Sequence, residues 1–205
     1  MKLDMTLRDL MRAQDVTRWQ IVRCGRVQSI AEHSWAVGVI AQRLWAVRHK
    51  FPHDLSKGMV ATLADLAHAA MWHDVPEVFT GDINTPTKVY LKACVPGVAD
   101  ALDTLESTAG EMYRAAMDIS AEMKDCLKLA DYLEAIYFLQ EYGQGTYART
   151  QHEGLVARMM EFCRTVDEPG QWREPVLQVL EELMSGSEET TTFDRVGALL
   201  DKASS

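Results

Sequence analysis

The sequence predicts an all-α fold, a bundle of helices, and three observations carry that prediction. Apolar residues recur at three- and four-residue intervals along nearly every periodic segment, the spacing of one helix face. The alternation of β-branched residues that strands require is absent. Ser, Pro and Gly fall at the borders of the periodic segments, where helices start and stop. At 205 residues, the chain has the size of one ordinary domain.

Leu7, Leu10 and Met11 give an i, i+3, i+4 stripe on a short first helix. Ser29-Ile30-Ala31-Glu32 reads as a capping box that opens a long helix to about Arg48. Residues 53–72 form the next, capped by Ser56, with Met59, Leu63, Leu66 and Ala70 as its core stripe. Thr80 to Pro86 breaks the pattern and reads as a loop. Pro96-Gly97 starts a helix expected to reach about Met117. Further helices follow over Ser120–Tyr142, Thr146–Thr165 and, after the turn Glu168-Pro169-Gly170, to about Met184. Residues 1–184 are therefore read as one catalytic-sized domain. Residues 185–205 are read as a flexible hinge and a short terminal helix carrying Phe193, Val196, Leu199 and Leu200.

Composition excludes several classes of function. Acidic residues outnumber basic ones 30 to 21, a net charge of −9, which disfavours nucleic-acid polymers and anionic membranes as partners of the whole surface. No apolar run approaches the roughly 18–20 residues of a membrane span. Asp4, Arg8 and Asp9 interrupt any signal-peptide core, so a cytoplasmic setting is expected. Cys24, Cys94, Cys126 and Cys163 show no CxxC spacing and read as buried, reduced thiols.

The chemistry begins at His73-Asp74, which closes an apolar helix just before Pro76. Neighbours on a helix diverge by about 100°, but a helix end frees both side chains to approach one ion. His33, one turn after the Ser29 cap, and Asp131, in the apolar stretch Leu127–Phe138, are the best further ligands. A buried carboxylate needs a proton, a partner or a metal. Two imidazoles with two carboxylates suit one divalent transition ion, Mn, Co, Fe, Ni or Zn, better than Ca. His68 precedes His73 by five residues, about 140° around the helix, and is expected to miss that ion.

Taken singly, each of these residues has a bland alternative: a core histidine, a salt bridge, a turn. Their order is more specific. His33, His73-Asp74 and Asp131 resemble the H…HD…D pattern of the HD-domain metal-dependent phosphohydrolases. Thr17-Arg18-Trp19, Arg23, Arg26, Glu32-His33-Ser34, Glu77-Val78, Thr80-Gly81-Asp82 and Thr85-Pro86 with Lys88 resemble the bacterial 5′-deoxynucleotidases among them, over about residues 5–140. The resemblance implies metal ligation by His33, His73, Asp74 and Asp131, and assistance to the attacking water by Glu77. It implies that Asp82 and the loop Ile83, Asn84 and Thr85 line the substrate site, which His33 also borders. It further implies that Arg18 meets the phosphate and that Trp19 packs on the nucleoside and helps exclude ribose. Arg18, Arg23, Arg26, Lys88 and Lys128 would form a cationic lining in an acidic protein, as a phosphate requires.

Three departures bear on the substrate: Gln20 beside Trp19, a long interval from His33 to His73, and a short one of 57 residues from Asp74 to Asp131. The expectation is hydrolysis of a deoxynucleoside 5′-monophosphate to deoxynucleoside and phosphate. The alternative is a phage-type triphosphohydrolase that takes the whole triphosphate from dATP, and a nucleotide-sensing module without hydrolysis is a third reading. Amphipathic faces in excess of a small core point to a homodimer or larger homo-oligomer. The setting is a bacterial cytoplasm, with host or phage as the source.

Overall fold

The computed structural model describes residues 5–52, 54–107, 109–166 and 171–185. In chain order the helices are α1 (Leu7–Met11), α2 (Ile30–Arg48), α3 (Lys57–Trp72), α4 (Glu77–Thr80), α5 (Thr85–Cys94), α6 (Val98–Ser107), α7 (Glu111–Ala116), α8 (Ala121–Tyr142), α9 (Gly145–Thr165) and α10 (Arg173–Met184). Among the described residues no strand forms; two isolated β-bridges join Thr17 to Ser29 and Cys24 to Gly143. No described helix is long and apolar enough to cross a membrane.

The capping reading holds at Ser29 and Ser56. Ser29 accepts from the Glu32 N–H while Glu32 returns to the Ser29 backbone, and Ser56 and Ser120 cap α3 and α8. α2 packs on both α3 and α8, α9 lies along α8, and α10 closes over α2 and α8. Val37, Leu44, Leu66, Leu129, Leu133, Met159, Trp172 and Val176 form one buried cluster between them. Gly38 faces Ala70 where α2 meets α3, and a Cβ there would make ordinary contact with the Ala70 Cβ at 3.4 Å.

Four expectations need correction. The Thr80–Pro86 break shrinks to residues 81–84, because Asn84 caps a new helix by accepting from the Thr87 N–H and Pro86 sits in its first turn. Proline there starts a helix instead of stopping one. The single helix expected from Pro96 to Met117 is two, α6 and α7, with Gly110 at φ 100° before the second. α3 begins at Lys57, not 53. Among the cysteines, Cys126 and Cys163 are buried, but Cys94 is exposed and Cys24 half-buried. The turn at 168–170 lies outside the described residues, as does the expected hinge and terminal helix beyond Ser185.

Between α1 and α2 the chain crosses residues 15–29 without a helix, yet it is held in place. The Arg18 N–H donates to the Gln28 carbonyl at 2.9 Å and the Ile30 N–H to Val16 at 3.0 Å. At its tip, Gly25 N–H donates to Tyr142 and Gln144 N–H to Arg23, stitching the loop to the α8–α9 junction. This loop carries Arg18 and Trp19.

Leu133 is fully buried on α8, two positions after Asp131. Leu133→Ala should cost about 2–5 kcal/mol and lower the melting temperature by roughly 5–15 °C, read by calorimetry. A change within error would mean that the α8 core is loosely packed.

Candidate active site

Three helices converge on one cluster. His33 projects from the first full turn of α2 and is wholly buried; His73 follows the last turn of α3, and Asp74 lies in the turn before Pro76. Ligand atoms of His33, His73 and Asp74 lie within 4.8 Å of one another. Asp131, from α8, brings its Oδ1 to 3.3 Å from the His33 Nε2, and Asp74 Oδ2 reaches the same nitrogen at 3.3 Å and His73 Nε2 at 3.4 Å. The helix end does what the sequence requires of it, letting adjacent His73 and Asp74 face one point.

The donor chemistry fits a metal ion. His33 Nδ1 lies 2.6 Å from the Glu134 carboxylate and His73 Nδ1 2.6 Å from the Ala70 carbonyl. Both partners accept, so each Nδ1 carries the proton and each Nε2 presents a lone pair. Both Nε2 atoms are buried without a hydrogen-bond partner, as metal-ligating nitrogens would be. Burial and the Arg18 charge oppose ionisation of His33, but Asp131, Asp74 and Glu134 raise it to about 10. Burial likewise resists ionisation of Asp74 and Asp131, yet the imidazoles and, for Asp131, Lys128 and Arg18 hold both carboxyls well below their usual range.

Glu77 opens α4 a turn beyond. One oxygen of its carboxylate accepts from Lys88 at 2.9 Å and the other is buried without a partner. Burial, reinforced by the Asp74 charge and only partly offset by Lys88, pushes its carboxyl up to about 7. Such a value near neutrality suits a group that takes and returns protons.

A cavity of about 250 Å³ opens beside Asp131. It gathers Arg18, Trp19, Asp82, Asn84, Thr85 and Lys128 from the predicted set, with Gln20 beside them. Arg18 is mostly buried and tied to Glu134 at 3.2 Å and Asp131 at 4.0 Å. Burial works against its charge, and Asp74, Asp131, Glu134 and Asp82 more than restore it. Trp19 adopts φ 65°, a left-handed conformation that costs a bulky residue about 1–3 kcal/mol.

Other predicted residues stand elsewhere. Lys88 turns to Glu77, and neither it nor Ile83 forms part of the cavity wall. His33 lies sealed in the bundle behind the cavity. Arg26 pairs with Glu32 and covers the Phe138 and Tyr142 rings, and Arg23 does not line the wall either, so the cationic lining is smaller than expected. His68 packs its ring against Trp72, away from the cluster, as its angle requires.

Several residues escape the sequence reading. Glu134 is buried at the centre of the site, and Gln28 beside it; Gln151, Leu155 and Arg158 of α9 complete the cavity wall. Glu134 left one trace: a carboxylate three positions after Asp131, hence on the same face, inside an apolar run.

An all-α bundle presenting this cluster beside a cationic cavity defines a metal-dependent phosphohydrolase of the HD type, and the comparisons agree. Residues 6–148 match the family described as 5′-deoxynucleotidase YfbR-like, and the chain belongs to that family. A dATP triphosphohydrolase of Salmonella phage PMBT28 is 47% identical over 200 residues, 96% of this chain and 97% of its own. The 5′-deoxynucleotidase YfbR of Salmonella paratyphi B is 37% identical over 82 residues, 40% of this chain and 38% of its own. The Cyanophage S-2L HD phosphohydrolase DatZ, solved bound to dA and one catalytic Zn²⁺ ion, superposes with a TM-score of 0.73 at 26% identity, covering 89% of this chain and 99% of that one.

The raised Glu77 carboxyl implies a stability cost at the site. A folded value of about 7 against an ordinary 4.5 favours folding below about pH 4.5, and that contribution is lost as pH rises through 7. In metal-free protein, Glu77→Gln should therefore raise the melting temperature at pH 8.5 by several degrees and leave it nearly unchanged at pH 4.5. Destabilisation at both pH values would refute burial as the cause.

Proposed function

We propose that this protein hydrolyses a deoxynucleoside triphosphate, dATP or a close relative, to deoxynucleoside and tripolyphosphate. The observation that carries this reading is the similarity to the phage dATP triphosphohydrolase across nearly the whole of both chains, against a much shorter match to the monophosphatase. The balance thus moves from the monophosphate expected from sequence to its alternative. The cavity supports it: Arg158 and Lys128 add cationic charge to Arg18 on the wall, and among the described residues Arg158 has no carboxylate partner. Phage relatives also support action in the cytoplasm of a bacterial host. The exposed apolar side chains Trp35 and Met71 support self-association.

His33, His73, Asp74 and Asp131 would hold one divalent transition ion. Once bound, such an ion supplies an acidified water and positive charge beside the phosphate. Glu77 accepts the proton of the attacking water as its oxygen bonds to the α-phosphorus. The bond from that phosphorus to the 5′-oxygen breaks, and the proton held by Glu77 is returned to the departing 5′-oxygen. Arg18, kept charged by the carboxylates around it, Asp82 among them, neutralises the α-phosphoryl charge that builds in the transition state. Trp19, Asn84 and Thr85 bound the nucleoside side of the cavity, while Lys128 and Arg158 face the outer phosphates.

Metal-depleted protein reloaded with Zn²⁺ or Mn²⁺ and offered dATP, dAMP and AMP should convert dATP to deoxyadenosine and intact tripolyphosphate. Orthophosphate from dAMP with dATP untouched would restore the monophosphatase reading, and silence on all three would favour a sensor. Glu77→Ala should lower turnover by about 10²–10⁴-fold while nucleotide still binds. Arg158→Ala should weaken inhibition by tripolyphosphate about tenfold and leave inhibition by deoxyadenosine unchanged. Equal loss for both products would remove Arg158 from the phosphate side.

A further inference from the structure

The left-handed Trp19 backbone is held by more than its own loop. Its ring stacks on Phe138 with centroids 5.9 Å apart and planes 1° from parallel, and its indole N–H donates to Gln28 Oε1 at 2.9 Å. The other end of the Gln28 amide donates to Glu134 Oε1 at 2.5 Å. Glu134 Oε2 in turn engages His33 Nδ1 at 2.6 Å and accepts from Arg18 Nη1 at 3.2 Å. Gln28 and Glu134 are both only 2% exposed.

The chemistry of this chain of contacts admits little substitution. An indole N–H only donates and a carboxylate only accepts. The residue between them must therefore accept at one end and donate at the other, which a Gln amide does. A buried network of this kind rigidifies its members when every polar atom is satisfied. An unfavourable backbone conformation persists where its surroundings over-determine it, and such outliers mark functional positions.

We infer that Glu134 and Gln28 are positioning residues that lock the two cavity side chains Arg18 and Trp19 to the same carboxylate that orients the imidazole of His33. The ion site and the nucleotide site are thereby registered against each other through one buried side chain. Gln28 acts on the nucleotide side alone, and Glu134 acts on both.

The inference rests on the nucleotide-hydrolase reading, and Zn²⁺ affinity, measured without substrate, separates failure of one from failure of the other. Glu134→Gln should weaken Zn²⁺ binding about 10–100-fold in a chelator competition and also raise KM for dATP. Gln28→Leu should raise KM about tenfold, with a much smaller change in kcat and Zn²⁺ affinity within about twofold of the parent, because Trp19 loses its acceptor. Wild-type KM in Gln28→Leu, or wild-type Zn²⁺ affinity in Glu134→Gln, would overturn the inference. Should Gln28→Leu fail to fold, the shorter Gln28→Asn is combined with Trp19→Phe, which keeps a ring on Phe138 and deletes the N–H. The double variant should then raise KM no further than the worse single one, and additive effects would overturn the link.

Discussion

Asp74, Asp131 and Glu134 crowd around one fully buried imidazole, and so much negative charge cannot be enclosed in an apolar bundle unless positive charge is enclosed with it. The fold supplies that charge from opposite directions. Arg18 arrives from the N-terminal loop and Lys128 from one turn earlier on α8, each within reach of Asp131. Against the opposition of burial, the three carboxylates raise the His33 pKa strongly, a measure of how much positive charge the cluster draws, which a divalent ion would supply. Ion binding and bundle stability are therefore linked, because the ion relieves repulsion that folding creates.

The same constraint explains which parts of the site sequence can reveal. Ser29 and Glu32 lie three residues apart and announce the helix that carries His33. His73-Asp74 before Pro76 announces a helix end by local rules alone. Local rules fail where partners lie far apart. Glu134 meets Gln28 across 106 positions and Arg18 across 116, so its place on the Asp131 face is the one local sign and its partners leave none. Lys88 illustrates the opposite error: a lysine near a phosphate motif reads as a phosphate ligand, yet Glu77, buried and eleven positions earlier, claims it first. Thr85-Pro86 reads as a break because proline's role at a helix start depends on the Asn84 cap before it.

The N-terminal loop shows how an irregular segment becomes as precise as a helix. Its Arg18 and Gly25 amides donate to the Gln28 and Tyr142 carbonyls, and its Val16 and Arg23 carbonyls accept from the Ile30 and Gln144 amides. Arg26 lies over Phe138, the same ring on which Trp19 stacks. The loop is thus fastened to α8 at both its polar and its aromatic contacts, and α8 also carries Asp131 and Glu134. Motion of α8 relative to α2 would disturb ion, arginine and tryptophan together.

The family match and the cavity wall end at different places along the chain. The match to the YfbR-like family ends at residue 148, just inside α9, and it contains the four metal-binding candidates, Glu77 and Arg18. Gln151, Leu155 and Arg158 lie past that limit yet form one wall of the cavity. A reaction at the α-phosphorus needs the same water, base and arginine whether one phosphate or three departs. What differs is the charge that must be held beyond the α-phosphate, and in the proposed reading Lys128, inside the family match, and Arg158, past it, supply that charge. α9 packs along α8 and brings Arg158 to the same cavity as Asp131 without placing it in the His33, His73 and Asp74 cluster. In the proposed reading, substrate choice can change on α9 while the cluster held by α2, α3 and α8 stays constant.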